Sequence, residues 1–193
     1  MEGNYSLLEE RQVAYLDPYA ERILEWLNSH PGLRTTSSCI GRITLIEGYW
    51  PWERKGNSRI VFKTHYPITP AVLALGISQP FEPLWLKVTG PIVHFRAKTP
   101  ECAAGLLDAA RSEGFKHSGI ISIDLEGSEW CCVVEVTAPT QFSSPLKLDG
   151  VIMASGVQLA VLARRANRAL AEGRRRLARL AWRVRSGLAY ECP

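Results

Sequence analysis

Apolar residues at helical spacing predict a helix near the start of the chain. Ile23, Leu24 and Leu27 recur on one face, and Asp17 and Pro18 precede them as a cap and a first helical residue. A His-Pro-Gly run then ends the pattern. The same spacing predicts three further helices, at 69–75, 100–113 and about 155–186.

Alternating apolar and polar positions predict short strands between these helices. The predicted strands are 43–46, 59–64, 83–88, 92–97, 120–125 and 130–136. We expect 83–88 and 92–97 to form a hairpin or to meet at a sharp bend, and 120–125 to form a hairpin with the strand that follows it. The segment 137–148, which contains two prolines, is expected to be an extended connection.

This order of elements indicates an α+β fold. Strands joined by hairpins, with helices interspersed, predict a mixed, largely antiparallel sheet rather than the doubly wound parallel sheet of a Rossmann methyltransferase. The length of 193 residues fits one domain, with two small lobes as the other arrangement.

A polar run precedes the first strand, at residues 35–42 with the sequence TTSSCIGR. Its four hydroxyls compete with the backbone for hydrogen bonds, which predicts a turn that presents donors. Gly41 permits a positive φ, and Arg42 offers a planar fork of donors suited to a phosphate, a carboxylate or a stacked base. The other interpretation is a plain polar loop with a solvated arginine.

Charge is distributed unevenly along a chain of ordinary globular composition, with 46% hydrophobic and 22% charged residues. Residues 151–193 hold nine arginines, no lysine and two glutamates, a net charge of +7, whereas the rest of the chain carries −3. A basic segment of this kind is typical of proteins that bind a polyanion such as RNA.

The predicted C-terminal helix carries this charge, and only Gly173 interrupts its helical pattern. Because its polar side is almost entirely arginine, phosphate contact is favoured over a solvated basic face. The loop at 48–57 holds Trp50 and Trp52, which could stack a base or pack back onto the domain.

Several classes of function lack support in the sequence. The five cysteines contain no C-x-x-C pair, and no two histidines lie three to five residues apart, so no metal is expected. No apolar run approaches the roughly 20 residues that span a bilayer, and no secretory signal begins the chain, so we expect a cytoplasmic protein without membrane contact. Phosphate-loop, nucleophile-elbow and glycine-rich donor-loop motifs are absent.

Four separated pieces of the sequence resemble the tRNA wybutosine-synthesizing protein 3 family. They are Thr36–Ile43, the strand that ends in His65, the run Pro91–His94, and Gly114–Ile120 with the sequence GFKHSGI. Asn167 in the basic helix matches a helical asparagine of that family. The resemblance extends over nearly the whole chain.

The resemblance implies an S-adenosylmethionine-dependent methyltransferase in one tRNA-modifying domain, residues 1–193. Its substrate would be the tricyclic base made from guanosine 37 of tRNA(Phe), beside the anticodon, with methylation at N4. A monomer or weak homo-oligomer is expected. We expect His65 to be the first and His94 the second proton-handling residue. Residues expected to line the pocket are Ser37, Ser38, Cys39, Arg42, Ser118 and Gly119, and those expected to contact tRNA phosphates are Arg164, Arg165, Arg168 and Arg175.

Other interpretations of the same residues stay open. Both histidines could be structural, and Cys39 could be a small packed side chain, a donor contact or a nucleophile. The protein could also be a non-catalytic RNA-binding module that uses the arginine helix, or an interaction protein whose helix meets an acidic partner.

Overall fold

The computed structural model describes residues 18–48, 58–124, 129–138 and 140–188. These residues form four helices and nine strands. The helices are Pro18–Leu27 (α1), Pro70–Ser78 (α2), Pro100–Ser112 (α3) and Val157–Ser186 (α4). The strands are Leu33–Cys39 (β1), Arg42–Glu47 (β2), Arg59–Thr64 (β3), Leu84–Thr89 (β4), Ile92–Ala97 (β5), Gly119–Ile123 (β6), Cys132–Thr137 (β7), Thr140–Leu148 (β8) and Val151–Ile152 (β9).

The chain divides into two compact units, each built around its own sheet. Unit 1 takes its described residues from Met1–Ile40, Pro91–Pro139 and Arg174–Pro193. Unit 2 takes them from Gly41–Gly90 and Thr140–Gly173. Every strand pairing in both sheets is antiparallel, so the predicted α+β fold without a Rossmann arrangement is confirmed. That residues 1–193 act as a single domain stays a prediction.

Unit 1 has a four-stranded sheet in the order β1-β5-β7-β6. Alternate residues of β5 and β7 enter its core, where they meet apolar side chains of α1, α3 and the C-terminal part of α4. Each fully buried leucine or phenylalanine contributes about 1.5–3 kcal/mol. Members of this core include Leu24, Leu27, Phe95, Leu106, Phe115, Val134 and Leu180.

Unit 2 has a five-stranded sheet in the order β3-β2-β4-β8-β9. The N-terminal part of α4 and the short helix α2 contribute to its core together with one face of the sheet. Gly76 of α2 lies against the sheet, because a Cβ there would be 2.5 Å from Leu45 Cδ1. Core members include Ile43, Leu45, Leu73, Leu86, Val88, Ala166 and Leu170.

The polar run at 35–42 is mostly strand, so the predicted turn is wrong. Leu33–Cys39 forms the edge strand β1, whose backbone hydrogen-bonds to β5 while most of its hydroxyl side chains are exposed. A partner strand satisfies the backbone groups for which the hydroxyls would otherwise compete. Between β1 and β2 only Ile40 and Gly41 remain outside the strands.

Two further predictions about connections need correction. Of the hairpin and the sharp bend predicted between 83–88 and 92–97, the hairpin is wrong, because β4 pairs with β2 and β8 in unit 2 and β5 pairs with β1 and β7 in unit 1. The segment predicted as an extended connection contains the strand β8, in which Pro145 lies at a register shift opposite Trp85. An irregularity of this kind lets a strand accommodate a residue without an N–H group. The predicted pairing of 120–125 with the strand after it is confirmed as β6 with β7.

The 30-residue helix α4 continues through Gly173 without the expected interruption. Gly173 is buried within this helix. None of the helices in the described part of the chain has the length and apolar character needed to cross a membrane.

Glu113 holds α3 to α4 within unit 1. It follows the C-terminus of α3, its side chain is only 8% exposed, and its carboxylate accepts from Arg179 Nε at 2.6 Å and from Arg183 Nε. Hydrogen bonding from Arg179, with a further contribution from Arg183, lowers the pKa of Glu113. Arg179 and Arg183 of the basic segment therefore have a structural partner in Glu113.

Asn167 of α4 pairs with the backbone of Ile68 in unit 2. Its Oδ1 accepts from the Ile68 N–H at 2.8 Å, and its Nδ2 donates to the Ile68 carbonyl at 2.8 Å. The side-chain amide thus supplies the pair of hydrogen bonds that a neighbouring strand would give, to a segment that lies outside the described strands. This segment lies three residues after His65.

We expect Glu113→Gln to lower the free energy of unfolding by about 1–3 kcal/mol at pH 7, because a neutral amide binds two guanidinium groups less strongly than a carboxylate. The pKa of Glu113 is lowered in the folded protein. Its contribution is therefore present above the unfolded pKa of about 4.3 and is lost as pH falls through the folded pKa.

Urea denaturation of both proteins at neutral and at acidic pH measures this effect. The difference between wild type and Glu113→Gln should shrink in acid, whereas Glu129→Gln, which changes an exposed carboxylate 3.5 Å from Lys98, should cost about 0.5 kcal/mol or less. An equal difference for Glu113→Gln at both pH values would contradict the ion-pair explanation.

We expect Asn167→Ala to destabilise unit 2 by about 2 kcal/mol, because both backbone groups of Ile68 lose their partner. Denaturation measures the loss, and faster hydrogen exchange at the Ile68 amide locates it. Arg168→Ala, the same truncation at the exposed neighbouring position, is the matched control for stability. Unchanged exchange at Ile68 would show that the Asn167 amide does not hold this segment.

Candidate functional site

Three polar side chains line up across neighbouring strands of unit 1. Ser37 on β1 lies opposite His94 on β5, which in turn lies opposite Glu135 on β7. The distance from Ser37 Oγ to His94 Nδ1 is 2.8 Å, and from His94 Nε2 to Glu135 Oε2 it is 3.1 Å. We call these three residues the polar row.

The chemistry of the partners fixes the hydrogen positions in the polar row. An ionised carboxylate can only accept, so Nε2 of His94 carries the hydrogen that points to Glu135. In the neutral ring the lone pair is then on Nδ1, which accepts from the Ser37 hydroxyl. Ser37 is exposed, and His94 and Glu135 are 30% and 35% exposed, so solvent and a ligand can reach the row.

A β-bulge in β1 brings Ser37 opposite His94. Thr35 lies opposite Phe95, and the next pair is Ser37 with His94, so Thr36 is the additional residue. Asn28 holds the bulge, because its Oδ1 accepts from the Thr35 N–H at 2.8 Å and its Nδ2 donates to Thr35 Oγ1 at 2.7 Å. Bulges often redirect a side chain next to a functional site.

The row continues to β6, where Gly119 lies opposite Glu135. A Cβ at Gly119 would have nothing within 4 Å, so the backbone is open to an approaching molecule. The neighbouring Ser118 is buried, and its Oγ accepts from the Thr137 N–H at 3.1 Å. Ser118 therefore supports the β6–β7 pair, whereas Gly119 leaves space beside the polar row.

Unit 2 holds the other predicted histidine. His65 lies just after β3, and its Nδ1 donates to the carbonyl oxygen of Gly41 at 2.9 Å. Since a carbonyl can only accept, Nδ1 carries the hydrogen. Gly41 has a φ of +96°, and a Cβ there would approach the Thr89 carbonyl oxygen to 3.2 Å and Leu170 Cδ1 to 3.3 Å. Only glycine suits this position.

The remaining residues of the polar run belong to different units. Ser38 and Cys39 lie on β1 opposite Val93 and Ile92; Ser38 is exposed and Cys39 is a half-buried free thiol. Arg42 begins β2 in unit 2 and is half-buried. Burial and the positive charge of Arg42 lower the pKa of Lys87. The prediction that both sets of residues line one pocket joins two units and stays a prediction.

The four arginines predicted to contact tRNA differ in their surroundings. Arg164, Arg165 and Arg168 are exposed in unit 2 and form no ion pair with any residue in the described ranges. Arg175 is exposed in unit 1. The loop with Trp50 and Trp52 lies outside the described residues.

Sequence reasoning missed Glu135 and Asn28. Glu135 stands in the alternating pattern of β7, between Val134 and Val136, and that pattern already predicted a polar residue facing away from the core. It did not indicate which residue of another strand would lie opposite. Asn28 stands in the helix-ending run, where an asparagine is common without any function.

Known proteins match this chain over most of its length. A family model described as Methyltransferase TYW3 matches residues 5–186. A protein of Aeropyrum pernix, named tRNA(Phe) 7-((3-amino-3-carboxypropyl)-4-demethylwyosine(37)-N(4))-methyltransferase, is 46% identical over 168 residues, or 87% of each chain.

Solved structures agree with the family model. A crystal structure of a hypothetical protein from Aeropyrum pernix has a TM-score of 0.78 at 40% identity and covers 88% of this chain and 98% of its own. A protein structure from Pyrococcus horikoshii has a TM-score of 0.79 at 30% identity, with coverages of 92% and 90%. The family resemblance drawn from the sequence is thus confirmed, and the chain belongs to the TYW3 methyltransferase family.

Proposed function

We propose that this protein transfers the methyl group of S-adenosylmethionine to N4 of 7-(3-amino-3-carboxypropyl)-4-demethylwyosine at position 37 of tRNA(Phe). Membership in a methyltransferase family and the name of the 46% identical relative support this substrate. The observation that carries the proposal within the structure is the hydrogen-bonded polar row on the open face of unit 1. A non-catalytic RNA-binding module would not need such a row.

The reaction exchanges one bond for another and releases a proton. A bond forms between N4 and the methyl carbon, the bond between that carbon and the donor's sulfur breaks, and the hydrogen on N4 must leave. S-adenosylmethionine, when bound, supplies the methyl group on a positively charged sulfur. The protein has to align the nitrogen and provide a path for the proton.

The polar row provides that path. The Ser37 oxygen accepts the hydrogen of N4 while the hydroxyl hydrogen of Ser37 passes to Nδ1 of His94. Glu135 then stabilises the imidazolium through the Nε2 hydrogen bond and keeps the ring in the tautomer whose Nδ1 can accept. Glu135 acts through His94 and is a positioning residue, whereas Ser37 touches the base.

Groups near the polar row suit both ligands. Ser38, beside Ser37 on the edge strand β1 but directed to the other face of the sheet, offers an exposed hydroxyl, and the open backbone at Gly119 allows close approach. Both S-adenosylmethionine and the substrate carry an amino-carboxypropyl group, which needs such donors and acceptors. We assign Ser38, Gly119 and the neighbouring Ser118 segment to ligand binding, and Arg42 of unit 2 to a carboxylate or phosphate.

His65 is the second candidate for proton handling. Its hydrogen bond to Gly41 fixes the ring, yet a carbonyl does not stabilise an imidazolium as a carboxylate does. The polar row thus favours His94 over His65, in reverse of the order expected from sequence. For Cys39 we retain a packing role.

The substrate class also suggests the setting of the enzyme. We infer that residues 1–193 act as one tRNA-modifying domain in the cytoplasm, as a monomer or weak homo-oligomer. Arg164, Arg165 and Arg168 are assigned to tRNA phosphates near the anticodon, because an exposed guanidinium that forms no ion pair with a described residue gains most from such a contact. Arg175, which is exposed in unit 1, is assigned the same role.

Incubation with labelled S-adenosylmethionine and tRNA(Phe) that carries the demethylated base tests the function. We expect label in the tRNA, and digestion to nucleosides should place the methyl group on N4. The same tRNA with unmodified guanosine 37 should stay unlabelled. Absence of label in both tRNAs, with RNA binding intact, would favour the non-catalytic module.

Substitutions in the polar row test its role. We expect His94→Ala to lower the rate by about 10²–10⁴-fold at saturating substrates, as for loss of a general base. Glu135→Gln should lower the rate less than His94→Ala does. It should also move the acidic limb of the rate–pH profile to lower pH, because a neutral amide stabilises the imidazolium of His94 less than a carboxylate does. Glu129→Gln, an exposed carboxylate change in unit 1, is the control.

The pH profile separates positioning from stability. A purely structural role for Glu135 would change the folded fraction and leave the shape of the profile as in wild type. If His94→Ala keeps the full rate and His65→Ala loses it, proton handling belongs to His65 instead.

A further inference from the structure

An apolar surface lies exposed in unit 2, before and at the start of α4. Val151 and Ile152 are 58% and 57% exposed, Met153 is 47% exposed and Val157 is 80% exposed. A run of large apolar side chains open to water is costly, and in monomeric proteins such patches commonly mark a site of interaction.

This surface borders a cavity of about 310 Å³. The volume lies at the lower end of the range of ligand sites, and the wall is mainly apolar. Side chains that border it include Met153, Val157, Val161 and Leu162, with Ser144 and Gln158 adding polar atoms. We call the cavity and these side chains the cleft.

Three arginines of α4 lie on the same helical face as Val157 and Val161 of the cleft. Val157, Val161, Arg164, Arg165 and Arg168 are spaced at i, i+4, i+7, i+8 and i+11, which places them on one helical face. The arginines are exposed and form no ion pair with any residue that the structure describes in its four ranges. An apolar cleft therefore adjoins three uncompensated positive charges on one surface.

We propose that this surface binds RNA, with one unpaired base in the cleft and the adjoining phosphates on Arg164, Arg165 and Arg168. Unpaired RNA presents an apolar base next to a charged phosphate, and this combination complements a cleft beside arginines. Met153 adds a polarisable sulfur that packs well against an aromatic ring. The proposal rests on the proposed function, which makes tRNA the substrate.

A second copy of the chain is a poorer occupant. A symmetric pair of copies would use the same surface twice and would bring six arginines to one interface. Like charges at an interface oppose association. An acidic peptide would match the charge, but a methyltransferase of this family already has a polyanionic substrate.

Affinity measurements with two RNA hairpins test the proposal. One hairpin has an unpaired loop, and the other has the same backbone with abasic loop nucleotides. Two variants are compared with wild type. The cleft variant combines Met153→Ser with Val157→Ser, which makes the cleft polar. The arginine variant combines Arg164→Gln, Arg165→Gln and Arg168→Gln. The controls are Ile121→Ser, which is 58% exposed in unit 1, and Arg111→Gln, an exposed arginine of α3.

Each variant should have its own signature. The variant with the polar cleft should bind the hairpin with the intact loop about 10-fold more weakly than wild type, with an unchanged salt dependence. It should bind the abasic hairpin as wild type does. The three arginine substitutions should weaken binding of both hairpins and reduce the slope of log affinity against log salt by about 2. Neither control should change affinity or slope.

Other results overturn the proposal. The cleft is not a base site if its variant binds the intact loop normally, or loses the same affinity for both hairpins. Self-association of wild type that the cleft variant abolishes, with RNA affinity unchanged, would assign the surface to a second copy. A poly-glutamate peptide that binds as tightly as the intact hairpin and depends on the cleft would assign it to an acidic protein.

A parallel methyl-transfer assay keeps the two proposals separate. If wild type labels tRNA(Phe) but the cleft variant binds RNA normally, the proposed RNA surface is wrong and the proposed methyltransferase function is supported. If RNA binding depends on the cleft but wild type transfers no methyl group, the RNA surface is supported and the methyltransferase function is wrong.

Discussion

The register of β1, β5 and β7 is the constraint on which the candidate site depends. Val93 and Phe95 on β5, and Val134 and Val136 on β7, must face the core of unit 1 to be buried. Because side chains alternate along a strand, the residues between them have to face the other side of the sheet. Apolar packing on one face thereby brings His94 and Glu135 together on the other.

The arginines of the basic helix differ in whether the protein itself supplies their acidic partner. Arg179 and Arg183 hold Glu113 in unit 1, and the free energy of that contact is used in folding. Arg164, Arg165 and Arg168 have no such partner among the described residues, so their charge is available to a ligand. Sequence alone does not separate the two groups, because Glu113 lies 66 residues from Arg179 and 70 residues from Arg183 along the chain.

Local patterns predicted most of the elements but not how the strands pair. Thr99 as a cap and Gly114 as a stop delimit α3 correctly, because both act through neighbouring residues. The supposed hairpin around Gly90 failed because β4 and β5 find their partners elsewhere in the chain. Only tertiary pairing decides such a choice, since a turn between two strands does not require that they pair.

For the candidate site, the sequence indicated which residue types matter but not how the fold arranges them. The hydroxyl run and His94 were visible in the sequence, but the strand conformation of β1 and the partner of His94 depend on pairing across 57 residues. Glu135 had no local signal of its own. Asn167 matched a family position, and the structure supplies its physical reason in the Ile68 backbone.

The bulge at Thr36 makes the register of β1, rather than the identity of that residue, decide which hydroxyl faces His94. If the same sequence paired regularly, Thr36 would lie opposite His94, and Ser37 would turn to the core side of the sheet opposite Val93. Many side chains fit at an unpaired, exposed position, so substitutions there are compatible with the row. Deletion of the Thr36 codon would straighten β1 and still leave Ser37 opposite His94, so the run of consecutive hydroxyl residues protects the polar row against the loss of one residue.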